Sequence, residues 1–202
     1  MRKYIAIAIL SACSASFDAH ATTASEPNGT HPSSGHNTKI PTSSGNPLQE
    51  DLSCNEVNQA FIKTWNSPQV ADITYNVKAD GTLKPHSEFR AVDAYQYEKY
   101  AFSTKWRSSG RGTIGTIGQR GPFWNSCKFV GTESDIGEAL RHYSAIWRSF
   151  PYEAPADIWI SNVDGRLRKI QRRYPDKLWQ YPFSTALDVF SYDPAQASAP
   201  AR

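Results

Sequence analysis

The side chains of this chain that could do chemistry exclude more than they admit. Gly110-Arg-Gly112-Thr-Ile-Gly115 matches the dinucleotide-binding fingerprint letter for letter. That fingerprint works only when it opens a helix whose N-terminus faces a pyrophosphate. Here Gly118, Gly121 and Pro122 follow and do not continue a helix, so residues 108–122 are expected to form a mobile Gly-rich loop. The sequence has no Lys-Ser/Thr after a glycine run, no G-x-S-x-G, no H-E-x-x-H and no C-x-x-C. No cofactor and no metal are expected. Glu133 with Asp135 or Glu138 could serve a glycosidase, but residues 131–137 read as a polar turn between strands, which leaves a hydrolase as the weakest reading. His142 shares a face with Leu140 and Ile146 and is expected to be a hydrogen-bonded strand histidine before it is a general base.

Two clusters remain. The basic run Arg166, Arg168, Lys169, Arg172, Arg173 and Lys177 would place Arg166, Arg168 and Arg172 on one face of a strand, and Lys169 and Arg173 on the other with Leu167. Such a run is ordinarily a solvated face. The functional reading is an anionic rim at Arg166, Arg168, Arg172 and Arg173, for headgroups or an acidic partner. All six Trp, nine of ten Tyr and eight of nine Phe lie between Asp51 and Asp193. Core packing accounts for many of these rings, and the surplus fits a lined cavity. Tyr95, Trp106, Trp124, Tyr143, Trp147 and Trp159 are its candidate ligand-binding residues.

The N-terminus reads as an address. Met1-Arg2-Lys3 is basic and residues 4–10 are apolar, as in a secretory signal too short to span a bilayer. Leu10-Ser11-Ala12-Cys13 looks like a bacterial lipobox, with Cys13 the lipidated residue; Ala19-His20-Ala21 is the competing cleavage site. The lipobox is preferred because Cys13 follows the apolar run closely. Lipidation of Cys13 would leave Cys54 and Cys127 as a pair in an oxidising compartment, against the alternative of two buried thiols.

Composition divides the chain into a signal peptide (1–12), a flexible tether rich in Ser, Thr, Gly, Pro and Asn (13–50), one globular domain (51–193) and a disordered tail (194–202). The net charge of +3 is well short of the excess a nucleic-acid binder carries. Within the domain, Asp51-Leu52-Ser53 offers N-caps and Glu56 a capping-box partner. Val57, Ala60, Phe61, Ile62 and Trp65 then predict an amphipathic helix ending near Pro68. The period next changes to two: Ala71, Ile73, Tyr75 and Val77 alternate with Asp72, Thr74 and Asn76 up to the Asp80-Gly81 turn. Further strands are expected around 88–97, 100–107, 124–131, 139–147, 157–163, 166–174 and 184–192, with Asp164-Gly165 as the clearest hairpin turn. One helix and eight short strands predict a mainly β (α+β) fold, a curved antiparallel sheet or unclosed β-barrel behind an N-terminal amphipathic helix.

This order of helix, strand and Asp-Gly turn, with residues 127–133 leading into 139–147 and the hairpin 157–169, resembles the LolA/LolB-like superfamily of lipoprotein-sorting and lipid-carrier proteins. The resemblance implies an unclosed barrel with a helical lid, an apolar cavity for acyl chains and no catalytic residues. The expectation is a non-enzymatic lipoprotein of the bacterial envelope, in the periplasm and anchored to the outer membrane, that binds a lipid-like ligand. The alternative is an inhibitor or immunity-type protein that neutralises an envelope-acting partner. Nucleic acid is not expected as a partner.

Overall fold

The computed structural model describes residues 50–100, 103–119, 122–135, 137–149, 152–175 and 183–201. The expected signal, the lipidation candidate Cys13 and the tether up to residue 49 lie outside these residues, as do Lys177 and Trp179.

The chain opens with a 3₁₀ turn, Leu52–Cys54, and helix α1, Asn55–Trp65. Nine strands follow: β1 (Gln69–Val77), β2 (Leu83–Val92), β3 (Tyr95–Tyr100), β4 (Arg107–Gly110), β5 (Phe123–Asp135), β6 (Glu138–Ser149), β7 (Tyr152–Ser161), β8 (Leu167–Arg173) and β9 (Thr185–Ser191). They form one antiparallel sheet in the order β4-β3-β2-β1-β9-β8-β7-β6-β5. Two meanders meet where β9 docks beside β1, and among the described residues β4 and β5 are the edges: the sheet curves without closing.

Helix α1 lies on one face of this sheet because its apolar stripe has nowhere else to go. Val57, Ala60, Phe61 and Trp65 pack against Trp124, Trp147, Ile158, Leu167 and Phe190. Each large side chain taken out of water there contributes about 1.5–3 kcal/mol. The first end of α1 is stapled by a Cys54–Cys127 disulfide. At the other end Trp65 Nε1 donates to Gly112 O (2.9 Å), Asn66 holds both backbone groups of Ile114, and the Thr64 hydroxyl accepts from Leu167 N (2.9 Å).

Those contacts correct several expectations. The Gly-rich segment is pinned to the end of α1, with Ile114 and Ile117 buried and only the three-residue 3₁₀ turn Ile117–Gln119 after Gly115. Asp51 caps the first turn by accepting from Ser53 N (2.9 Å), whereas Ser53 and Glu56 do not form a capping box. The Ser53 hydroxyl accepts instead from Cys127 N, and Glu56 reaches β6. The strand expected at 88–97 is two strands, folded at Asp93, whose left-handed φ of 50° turns the chain without Gly or Pro. The polar turn expected at 131–137 is mostly strand, since β5 runs on to Asp135 before Gly137 (φ 81°) reverses it. Of the C-terminal residues, Ala197 is buried against Ala71 and Ile73, and Ser198 O accepts from Arg90. Small side chains let this tail lie flat on the sheet.

Candidate functional site

Opposed residues of an antiparallel ladder share a face, so the registers divide the side chains into an inner set, on the helix side, and an outer set. Helix α1 buries its apolar stripe and turns Glu56, Gln59 and Lys63 toward the sheet margin. There an open groove of about 440 Å³ is lined by Glu56, Gln59, Ala60, Ile62, Lys63, Arg141 and Gly165. Arg141 and the Tyr143 hydroxyl, both from β6, bind the Glu56 carboxylate and so tie the helix to the sheet. Gly165 turns the chain between β7 and β8 at a left-handed φ of 66°, beside the Lys63 side chain. The groove thus has an apolar floor at Ala60 and Ile62 under a rim of both charges. None of its lining residues was a sequence candidate, although Glu56, Gln59 and Lys63 recur at helical spacing as a polar stripe.

The six candidate rings do not line one cavity. Trp124, Tyr143 and Trp147 are inner and buried, with Trp124 opposite Trp147 and Tyr143 beneath α1. Trp159 falls on the outer face between Ile158 and Ile160, because alternation turns it away from both. It stacks on His142 (4.7 Å), lies under Lys169 and donates to Glu133 (2.9 Å). Trp106 is covered by Arg90 and Lys99, at 5.0 and 4.7 Å. Tyr95 is 58% exposed at the start of β3. Trp159→Ala is therefore expected to leave uptake of an apolar probe unchanged in a fluorescence titration; a loss of uptake would put the site on the outer face.

The arginines do not form a free rim either. A bulge opposite Trp159 and Ile160 inserts one residue into β8, so Leu167 faces inward with Ile170 and Arg172 and no longer shares a face with Lys169. Arg166 and Arg168 clasp Asp164 and cover the Tyr192 ring at 3.7 and 4.8 Å. Burial opposes ionisation of Asp164, but the hydrogen bonds from Arg166 and Arg168 prevail and hold its pKa below the usual carboxylate range. Arg168 also binds Glu138, Arg173 binds Asp157 (2.5 Å), and Arg172 is buried against Asp188 (2.6 Å).

That last pair belongs to a polar interior. Asp72, Thr74 and Asn76 of β1 face inward beside Ser87 of β2 and Asp188 of β9, reversing the usual polar-outward assignment. Thr74 Oγ1 donates to Asp188 (2.8 Å). Burial raises the Asp188 pKa in spite of Arg172 and Thr74. Asp72 is 0% exposed with neither carboxyl oxygen hydrogen-bonded. Burial, then the Asp188 charge, push its pKa well above the usual value against the pull of Arg172. The folded protein therefore keeps a proton that the unfolded chain releases, and stability falls as pH rises from the ordinary carboxylate range through the raised folded value. Asp72→Asn removes that loss. The variant is expected to melt above the parent at neutral and alkaline pH and close to it below about pH 4; melts across pH check this, and equal melting at alkaline pH would contradict it.

On the outer face His142 sits between two carboxylates, with Nδ1 2.6 Å from Glu133 and Nε2 2.8 Å from Asp157. The Trp159 N–H, then His142, lower the Glu133 pKa, and Asp135 pairs with Lys169. Glu133 and Asp135 are thus held by ring and cation partners. Among the described residues no cluster of three or more His, Cys, Asp or Glu is arranged to hold a metal ion.

No protein-family model matches the chain, and no curated protein does. Solved structures similar to it include the lipoprotein LppX of Mycobacterium tuberculosis, at 14% identity over 69% of this chain and 93% of that one, TM-score 0.39. LprF from Mycobacterium bovis is similar at 14% identity over 71% and 95%, TM-score 0.38. A LolA superfamily protein from Nitrosomonas europaea is similar at 6% identity over 67% and 90%, TM-score 0.28. Likeness this loose says nothing of a ligand.

Proposed function

We propose that the domain is a non-enzymatic carrier of the bacterial envelope, tethered through Cys13, that holds an apolar or lipid-like ligand along α1. The groove supports this reading: about 440 Å³ is within the range of small-molecule sites, and an apolar floor under a charged rim suits an amphiphile with a polar end. Behind its rim residue Glu56, the buried Tyr143 donates its hydroxyl to the Glu56 carboxylate.

Fluorescence titration of the full chain with a conjugated polyene fatty acid tests the reading. Gln59 is exposed on the groove wall, so Gln59→Trp fills the groove and leaves the core in place. Saturable binding by the parent with a loss of about tenfold or more in the variant, roughly 1.4 kcal/mol, is expected. Equal binding by the two would remove the groove from the account.

The Glu56 link to Arg141 and Tyr143 closes one side of the groove. Glu56→Gln weakens that tie at a cost below about 1 kcal/mol, since both charged side chains are partly exposed. Probe association, followed by stopped flow, is expected to speed up several-fold with little change in melting temperature; an unchanged rate would show that α1 does not gate entry.

A further inference from the structure

The corner where α1 meets β5 exposes three apolar side chains. Leu52 is 90% exposed, Phe129 58% and Val130 57%. The two segments that meet at the corner are fixed to each other. The Cys54–Cys127 bridge joins its two segments, and the Asp51 carboxylate accepts from both Ser53 N (2.9 Å) and Ser126 N (2.8 Å). Ser126 is itself fixed in a left-handed conformation at φ 54°. Apolar groups presented by a preorganised corner need no further ordering to engage a partner.

The corner also adjoins the groove. The Phe129 ring meets Tyr143 edge-on at 5.5 Å, and the Tyr143 hydroxyl binds Glu56 on the groove rim. A ligand leaving the groove past Glu56 would meet Phe129 next.

Two observations decide what covers the three side chains. First, β5 is an edge strand, but its register with β6 shifts twice, between Asn125 and Lys128 and between Phe129 and Gly131. The second shift makes Val130 an unopposed bulge residue. Breaks of this kind interrupt the row of edge N–H and C=O groups that another strand would need, and the exposed Lys128 discourages pairing further. Second, the chain preceding the described residues arrives at Glu50, two positions from Leu52. That preceding chain carries the expected lipidation candidate, Cys13, 37 positions before Glu50. A lipid at Cys13 would therefore join the described domain at this corner.

We propose that Leu52, Phe129 and Val130 form a lipid-facing lip that seats the domain on the bilayer surface with the groove mouth toward the membrane. The lip extends the carrier reading to the place where ligand crosses between membrane and protein. Three side chains entering the interface bind weakly, so docking is read at a high vesicle concentration.

The test uses the full chain carrying Cys13→Ser, which removes lipid as a cause of binding. Co-sedimentation with vesicles of phosphatidylethanolamine and phosphatidylglycerol is expected to retain it. Leu52→Ser with Val130→Ser, both exposed and outside the core, is expected to lower the bound fraction about threefold or more at an unchanged melting temperature. Adding Phe129→Ser is expected to lower it further. Absence of vesicle binding by the Cys13→Ser chain, or equal binding by the double variant, overturns the lip. So does a parent that sediments as a dimer while the double variant is a monomer, because the corner would then be a self-contact. The polyene fatty acid titration on the same proteins separates this proposal from the carrier reading. Uptake of the probe without vesicle docking sinks the lip alone, and docking without uptake sinks the carrier alone.

Discussion

Arg172→Leu is expected to destabilise the domain by about 3–5 kcal/mol, a fall in Tm on the order of 10 °C, because it leaves a buried carboxylate without its counter-charge. Arg172 reaches Asp188 at 2.6 Å from the neighbouring strand and lies 5.0 Å over the Trp147 ring. Both members of the pair are almost fully buried. With Arg172 gone, the Thr74 hydroxyl is the partner of Asp188 that remains among the described residues. The sign with pH follows. A buried Asp188 without Arg172 holds its proton more firmly still, so the loss is largest at neutral pH and shrinks in acid, where the side chain is neutral. Urea unfolding at neutral and acid pH measures this. The double variant Arg172→Leu, Asp188→Leu removes both charges and is expected to recover much of the loss, since a buried pair is often matched by apolar groups of similar size. A single variant as stable as the parent would mean that the pair is not buried in solution.

Reduction, or Cys54→Ser with Cys127→Ser, is the second large effect. The bridge closes a loop of 73 residues, for which chain entropy alone gives about 4 kcal/mol. A drop in Tm on the order of 10 °C is expected when reductant is added to the parent, and no response is expected from the double serine variant. Part of the effect is local, since the bridge holds the first turn of α1 against β5 and with it the groove wall at Glu56. Probe binding is expected to weaken in the reduced protein at temperatures where it remains folded. A melting temperature insensitive to reductant would mean that the two cysteines are thiols.

The elements were legible where the cause of structure is local. Val57, Ala60, Phe61 and Trp65 specify α1 by their spacing, and Gly81 and Gly165 mark turns through backbone angles that other residues rarely adopt. The β2–β3 turn escaped because Asp93 takes a left-handed angle with no Gly or Pro beside it. The site was less legible, since it depends on which side of the sheet receives the helix. Alternation in β1 is plain in the sequence, yet its polar members face the interior, because their partners Asp188 and Arg172 lie more than a hundred and about a hundred residues further along. Trp147 and Trp159 looked alike as strand tryptophans, yet the β6–β7 register sets Trp147 opposite buried Ala154 on the inner face and Trp159 opposite His142 on the outer face. The bulge in β8 did the same to the arginines, which an unbroken alternation would have grouped differently.

The central claim is that α1 and the sheet hold an apolar ligand. Native mass spectrometry of the full chain purified from bacterial membranes tests it most directly. The account predicts a population carrying one extra lipid-like mass, lost from Gln59→Trp and kept by Trp159→Ala. An empty chain that arrives instead in a defined complex with one protein would contradict it.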